Sequence, residues 1–364
     1  MTELVLNRHK LLATYARQDV TFVDGDGAWL VDAGGKRYLD LFAGIAVVGL
    51  GHCHPAPLAA AHEQLDRLWH VSNLYWTEPM QALAAKLSDR FGGAGAFFCN
   101  SGAESVEAAL KWARKATGRT EVVALEGSFH GRTFGALSVT GQPAKRAAFE
   151  PLVPGARFGL EHVGPETAAI LLEPVQGEGG VRPLPAELLA QARALADEHG
   201  ALLVFDEVQT GVGRSGAFFA WQRLGVRPDA VTLAKGLANG LPIGALLVAD
   251  AAPAGFVPGD HASTFGGNPV ACAAACAVVD AVDDELLANV RARSEQFAAA
   301  LPVRGLGLLL AYDTAAPAAD VAAAALAHGL VVGTAGEHTV RLTPPLTLTA
   351  DEAAHAIDIL LEIS

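Results

Sequence analysis

From about residue 80 to residue 280, short apolar runs alternate with stretches of helical spacing. The runs AFFC (96–99), EVVAL (121–125), AAILLE (168–173), ALLVF (201–205), AVTLA (230–234) and GALLVA (244–249) are brief and bounded by polar or turn residues, and so predict strands. Between several of them lie segments such as ESVEAALKWARKA and PAELLAQARALADEHG, whose apolar residues recur at helical intervals. Near-continuous apolar strands separated by helices imply a largely parallel sheet covered on both faces, with ligands outside the carboxyl ends of the strands. Ahead of this region, VTFVDGDGAWLVDAGGKRYLDL alternates β-type runs with Asp-Gly and Gly-Gly turns, which predicts a hairpin. DGDG resembles the start of a calcium loop, but Ala28 occupies the next required oxygen position, so it reads as a turn. Residues 281–364 are helix-rich with two further β-type runs. The expected architecture is α/β: a large domain (51–280) with a mostly parallel central sheet covered by helices, and a smaller α+β domain formed by the C-terminal part (281–364) and the N-terminal hairpin segment (1–50).

Composition narrows the class. Half of the 364 residues are apolar (51%) and only 18% are charged, which fits a compact globular chain. Much of the apolar excess is alanine, as in AADVAAAALAHGL, and reads as helix-forming filler. A net charge of −13 opposes extended contact with nucleic acid or anionic lipid. MTELVLNRHK has no apolar targeting run, and no stretch reaches the ~18 apolar residues of a spanning helix, so a cytoplasmic location is expected. The four cysteines form no Cys-x-x-Cys pair and are expected to be reduced and buried. His52-Cys53-His54 does not predict a metal site, because adjacent residues on an extended chain point to opposite faces.

GVGRSG (211–216) matches a dinucleotide-binding G-x-G-x-x-G. In that motif the first glycine follows the strand almost directly, whereas here DEVQT intervenes. The acidic residue expected about 20 positions on would be Asp229, which opens the next run rather than closing it. The glycines therefore read as a turn.

The intervening residues carry more chemistry. Asp206 falls where ALLVF ends and Lys235 where AVTLA ends, 235 − 206 = 29 residues apart, a length suited to one right-handed crossover. A simple ion pair at the strand ends would account for them. So would pyridoxal phosphate, which needs a lysine to hold its aldehyde as a Schiff base and a carboxylate to keep its pyridine nitrogen protonated. Asn100-Ser101-Gly102-Ala103 joins a strand to a helix and offers backbone N–H groups for a phosphate, although Ser101 with Glu104 also spells a capping box. Phe129 in GSFHGR can lie against a ring or simply pack in the core.

With these residues assembled, the chain resembles the class III, fold type I pyridoxal-phosphate aminotransferases, and among them the acetylornithine aminotransferases. The likeness runs from GKRYLDLFAGIAVVGLGHCHP to VRLTPPL, through WHVSNLYWTEP, NSGAESVEAALKWAR, SFHGRTFGALS, EPVQGEGGV, FDEVQTGVGRSG, LAKGLANGLPIGA and STFGGNP. The resemblance implies that Lys235 is the Schiff-base lysine and moves a proton between substrate and cofactor. It further implies that Asp206 contacts the pyridine nitrogen, Gln209 the ring hydroxyl, Phe129 the ring face, and Ser101, Gly102 and Ala103 the phosphate. Ala103 departs from the threonine of many relatives and loses a hydroxyl. Ser263 and Thr264 would reach across from a neighbouring subunit, Thr264 to the phosphate, which implies a homodimer with shared active sites.

The same resemblance gives Arg132 to the carboxylate of acetylornithine and Arg341 to the α-carboxylate of glutamate or 2-oxoglutarate. Glu178 would pair with Arg341 when the longer substrate binds and swing aside for glutamate. Glu173 would support the site structurally. The expected activity is a ping-pong N2-acetyl-L-ornithine:2-oxoglutarate transamination in arginine biosynthesis. Enzymes acting on succinylornithine, ornithine, 4-aminobutyrate or a carrier-bound lysine precursor share the same machinery, and the motifs separate them poorly. An aminomutase of the glutamate-1-semialdehyde type needs no arginine switch, so Glu178 with Arg341 argues against it. Intact Lys235 and Asp206 argue against a cofactor-free binding protein.

Overall fold

Residues 10–363 are described by the computed structural model of the chain. The first nine residues, which carry most of the segment read above for a targeting run, and Ser364 lie outside the described residues.

All six predicted strands form within two residues of their expected ends, and Ala156–Phe158 adds a seventh. In spatial order the sheet runs Ala94–Cys99, Gly244–Ala249, Ala230–Leu233, Leu202–Asp206, Thr167–Leu172, Glu121–Ala124, Ala156–Phe158. Six strands share one direction; Gly244–Ala249 alone runs against its neighbours Ala230–Leu233 and Ala94–Cys99. The added strand is a three-residue edge paired only with Glu121–Ala124, too short to show a period in sequence.

The sheet is buried on both faces, as continuous apolar runs require. Ile170, Leu172, Leu203 and Phe205 enter one apolar cluster, while their alternating neighbours Ala169, Leu171, Leu202 and Val204 enter another on the opposite face. The helix Gly102–Thr117 turns Val106, Ala109, Trp112 and Ala113 to that second cluster. It starts at Ser101, whose hydroxyl accepts the Glu104 N–H at 3.2 Å, and stops at Gly118, whose φ of 69° suits a residue without Cβ. The predicted capping box closes one residue early: the Glu104 carboxylate accepts the N–H of Asn100 at 2.6 Å rather than that of Ser101.

The hairpin forms from Phe22–Asp26 and Trp29–Asp32, with Asp26 opposite Trp29 and Gly27 at a φ of 55° in the turn. Where two β-type runs were expected after residue 280, five short strands form, several of only two or three residues. One of them, Leu330–Val331, pairs in parallel with Arg37–Asp40 and so ties the two ends of the chain together. Ala28, Leu39 and Leu41 share an apolar cluster with Val290, Phe297, Leu342 and Leu360.

The cysteines are all free, but only Cys99 and Cys272 are buried. Cys53 is exposed because it sits in a left-handed turn (φ 50°) ahead of the helix Pro55–Leu65. Its neighbours face different partners: His52 Nε2 meets the Asp40 carboxylate at 2.8 Å, and His54 Nδ1 accepts the Ala56 N–H at 3.3 Å. Among the described residues, no helix is long and apolar enough to cross a membrane.

Candidate functional site

Because six strands share one direction, their carboxyl ends deliver side chains to one edge of the sheet. Cys99 leads into Asn100–Ala103, Ala124 leads towards Phe129, Leu172 is followed by Glu173, Asp206 closes its own strand, and Lys235 lies two residues beyond Leu233. Residues from all five strand ends line one cavity of about 400 Å³.

Asp206 is 5% exposed and carries three contacts. Its Oδ2 lies 2.7 Å from His130 Nδ1, while Oδ1 accepts the Thr232 hydroxyl at 3.0 Å and the Val208 N–H at 3.1 Å. The carboxylate is thereby held in one orientation at the cavity wall. The sequence reading missed His130, whose only signal was its place beside Phe129 in GSFHGR. Glu207, adjacent to Asp206, serves the fold: its carboxylate accepts the N–H groups of Ala220 at 2.6 Å and Trp221 at 3.0 Å, capping the helix Ala220–Leu224. Burial pushes its carboxyl up to about 7, against these bonds.

Lys235 has a φ of 44°, in the left-handed region a side chain rarely adopts, at a cost of about 1–3 kcal/mol. The ammonium is held below its ordinary pKa by burial, aided by Arg341 and opposed by Glu178 and Asp206. A larger share of neutral amine is the chemical consequence.

Glu173 fixes the loop that carries the ring. Its Oε1 accepts the Phe129 N–H at 2.7 Å and its Oε2 the Gly177 N–H at 3.2 Å. Burial raises its carboxyl to about 7, with His130 opposing the shift. Phe129 itself is half-buried and lines the cavity.

At the start of helix Gly102–Thr117, the first-turn N–H groups of Gly102 and Ala103 have no acceptor within the helix. They face the cavity wall beside Val208, and a Cβ at Gly102 would lie 2.7 Å from a Val208 methyl, so only glycine allows this approach. An anion is well placed there. The other glycine run behaves as a bend: in GVGRSG, Val212, Gly213 and Gly216 have φ of 54°, 86° and 84°, and the helix begins only at Ala220.

Arg341 comes from a different sheet, on the strand Thr339–Leu342, and is 3% exposed. Its Nη1 donates to Glu178 Oε1 in an ion pair. Burial alone would raise the Glu178 carboxyl, but Arg341, with help from Lys235 and Lys145, holds it below the usual range. Arg132 is exposed at the cavity, with its guanidinium carbon 5.6 Å from the Phe129 ring centre. Gln209 is 7% exposed, and its Oε1 is buried without a hydrogen-bond partner among the described groups. Such an orphan costs about 1–3 kcal/mol and marks a place where a polar molecule can be received.

Three expected site residues are absent from the cavity lining: Arg341, which meets it through Glu178, and Ser263 and Thr264. Ser263 Oγ lies between Asn100 Nδ2 (3.1 Å) and the Gly266 N–H (3.0 Å) of the same chain, and Thr264 is exposed outside the cavity lining.

The sequence model of the class-III aminotransferases matches residues 13–162 and 156–363. An acetylornithine aminotransferase of Corynebacterium efficiens is 47% identical, over 97% of this chain and 94% of its own. Among solved structures, the N-acetylornithine aminotransferase of Stenotrophomonas maltophilia is 36% identical with a TM-score of 0.81, covering 96% of each chain. The ornithine aminotransferase of Toxoplasma gondii, described with partial occupancy of PLP at its active site, is 30% identical with a TM-score of 0.91, covering 98% of this chain and 92% of that one. A family match over nearly the whole length, together with an amine, a held carboxylate and a glycine-bearing helix start converging on one cavity, makes the chain an enzyme of the class-III aminotransferase family.

Proposed function

We propose that this aminotransferase uses pyridoxal 5′-phosphate to exchange the terminal amine of N2-acetyl-L-ornithine with 2-oxoglutarate. The observation that carries the reading is the Glu178–Arg341 pair beside a cavity that also exposes Arg132. One arginine stands free and the other is masked by a carboxylate, as a site requires if it must take two acids of different length in turn. The names of the relatives, acetylornithine aminotransferases over nearly their whole length, support the same substrate.

The residues present fit the cofactor. The phosphate has the free N–H groups of Gly102 and Ala103, with the Ser101 hydroxyl beside them; the ring has Phe129; and the orphaned Gln209 Oε1 can meet the ring hydroxyl. When bound, the cofactor supplies an aldehyde for amines and a ring that withdraws electrons. Asp206, backed by His130, Thr232 and the Val208 N–H, holds a proton on the ring nitrogen. Lys235 would move the proton between the substrate carbon that bears the amine and C4′ of the cofactor, a role its lowered pKa favours. Glu173 fixes the Phe129 backbone and with it the ring's seat. Arg132 holds the distant carboxylate of acetylornithine. For glutamate, Glu178 turns away and Arg341 takes the near carboxylate.

A homodimer belongs to this reading. Trp69, Leu74, Tyr75 and Trp76 are between 65% and 85% exposed, and Phe265, next to Thr264, is 62% exposed. Asn73 Nδ2 bonds the carbonyls of Ser263 and Gly266, which joins these residues into one apolar surface suited to a second copy. On that surface Thr264 would serve the partner's phosphate. The shared apolar cluster of residues 28–41 and 290–360 supports a small domain built from the N-terminal segment (1–50) together with the C-terminal part (281–364), beside the large domain (51–280). A cytoplasmic setting and a place in arginine biosynthesis complete the proposal.

The test is a panel of half-reactions. The purified holoenzyme should be yellow, glutamate should bleach it, and acetylornithine should bleach it with a kcat/KM above those for ornithine, succinylornithine and 4-aminobutyrate. A preference for any of the last three would replace the substrate while keeping the chemistry. Arg341→Ala should lower kcat/KM for glutamate by about a hundredfold to a thousandfold, the loss expected for one side of a buried charge-assisted pair. The acetylornithine half-reaction should lose far less, and equal losses would count against the switch.

A further inference from the structure

A second cation stands beside Arg132. Lys145, on the short helix Pro143–Arg146, holds its Nζ 4.7 Å from the centre of the Phe129 ring, the same ring that Arg132 approaches at 5.6 Å. Two like charges on one ring repel unless something neutralises them. Among the described ion pairs, neither has a carboxylate partner; of the two acids that act on Lys145, Glu178 is engaged by Arg341 and Glu173 by the N–H groups of Phe129 and Gly177.

The position of Lys145 is fixed by its own segment. Gln142 Nε2 donates to the Gly127 carbonyl at 3.0 Å, and the Lys145 N–H donates to the Gln142 carbonyl at 2.9 Å. These bonds tie the helix to the loop two residues before Phe129. Lys145 is half-buried where Arg132 is exposed, and so it is the less hydrated of the two cations. Burial lowers its ammonium pKa, with Arg132 and Arg341 pushing the same way and Glu178 and Glu173 opposing. An arriving carboxylate reverses that balance.

We propose that Lys145 and Arg132 form a two-cation clamp for the remote carboxylate of the ω-amino substrate, with Lys145 setting the preference for substrates that carry this carboxylate. The guanidinium supplies directed paired hydrogen bonds and the ammonium supplies a compact charge from the Phe129 side. The inference rests on the reading of the substrate given above.

The experiment compares acetylornithine with N-acetylputrescine, the same molecule without the carboxylate, in half-reactions of the holoenzyme. Lys145→Met should lower the ratio of their kcat/KM values about tenfold, through KM for the acid, and Lys145→Arg should restore it to within about threefold, as for a partly desolvated charge pair. A ratio unchanged in Lys145→Met, or equal losses on both substrates, would overturn the clamp, since a merely structural lysine cannot tell acid from amine. If the unaltered enzyme rejects acetylornithine, the substrate reading fails. The clamp is then tested by the same ratio on an unbranched ω-amino acid with equal spacing between amine and carboxylate and its decarboxylated amine.

Discussion

Lys235→Ala is expected to lower kcat by at least about four orders of magnitude, because it removes both the covalent anchor and the proton carrier. Lys235 is the one lysine among the described residues that lines the cavity, and Lys145 reaches its edge only over the Phe129 ring. The left-handed backbone of Lys235 sets the amine where the ends of strands Leu202–Asp206 and Ala230–Leu233 converge, and burial there lowers its pKa and enlarges its neutral share. Lys235→Arg should be as inactive, since a guanidinium stays charged and cannot act as nucleophile or base. Turnover is measured with glutamate and a 2-oxo acid, and thermal melts of both variants show that the fold survives. Activity within a hundredfold of the unaltered enzyme would remove Lys235 from the chemistry. The pH dependence gives a second readout. Burial favours the neutral amine, so cofactor uptake by the apoprotein should rise with pH through a midpoint below that of an exposed lysine.

Asp206→Asn keeps the volume and deletes the charge. It should cost about two to three orders of magnitude in kcat, the loss seen when one preorganised electrostatic partner is removed from a site. The Thr232 hydroxyl and the Val208 N–H can still donate to the amide oxygen, so the fold should be preserved. What disappears is the negative end of the His130–Asp206 pair, buried at 2.7 Å. Single-turnover rates with glutamate separate this loss from weaker cofactor binding, which a titration of the apoprotein reports independently. His130→Asn combined with Asp206→Asn should cost less than the sum of the single losses, because both act on one proton. Strict additivity would show that His130 acts elsewhere.

Much of the scaffold was legible in the chain. The six apolar runs each became a strand, because a strand buried on both faces has no polar side to interrupt its pattern. The placement of Asp206 and Lys235 at one edge followed from counting residues between two such runs. Short or edge elements escaped: Ala156–Phe158 and Leu330–Val331 are held by pairing with distant segments, Gly333–Thr334 by a short hairpin with Thr339–Leu342, and none is long enough to carry a period of its own. The reversal of Gly244–Ala249 was equally silent, since an apolar run reads the same in either direction.

The site divides along the same line. Sequence by itself determined which residues could do chemistry, because nucleophile, carboxylate, ring and glycine-bearing helix start are local properties tied to strand ends. Only the tertiary structure decided what each one touches. His130 became the partner of Asp206, Glu207 turned away to cap a helix, Arg341 reached Glu178 from another sheet, and Lys145 came to rest over Phe129. These contacts join residues between 13 and 163 positions apart. The reason is physical: a charge acts over a few ångströms of space whatever its separation along the chain, and that space is set by packing rather than by pattern.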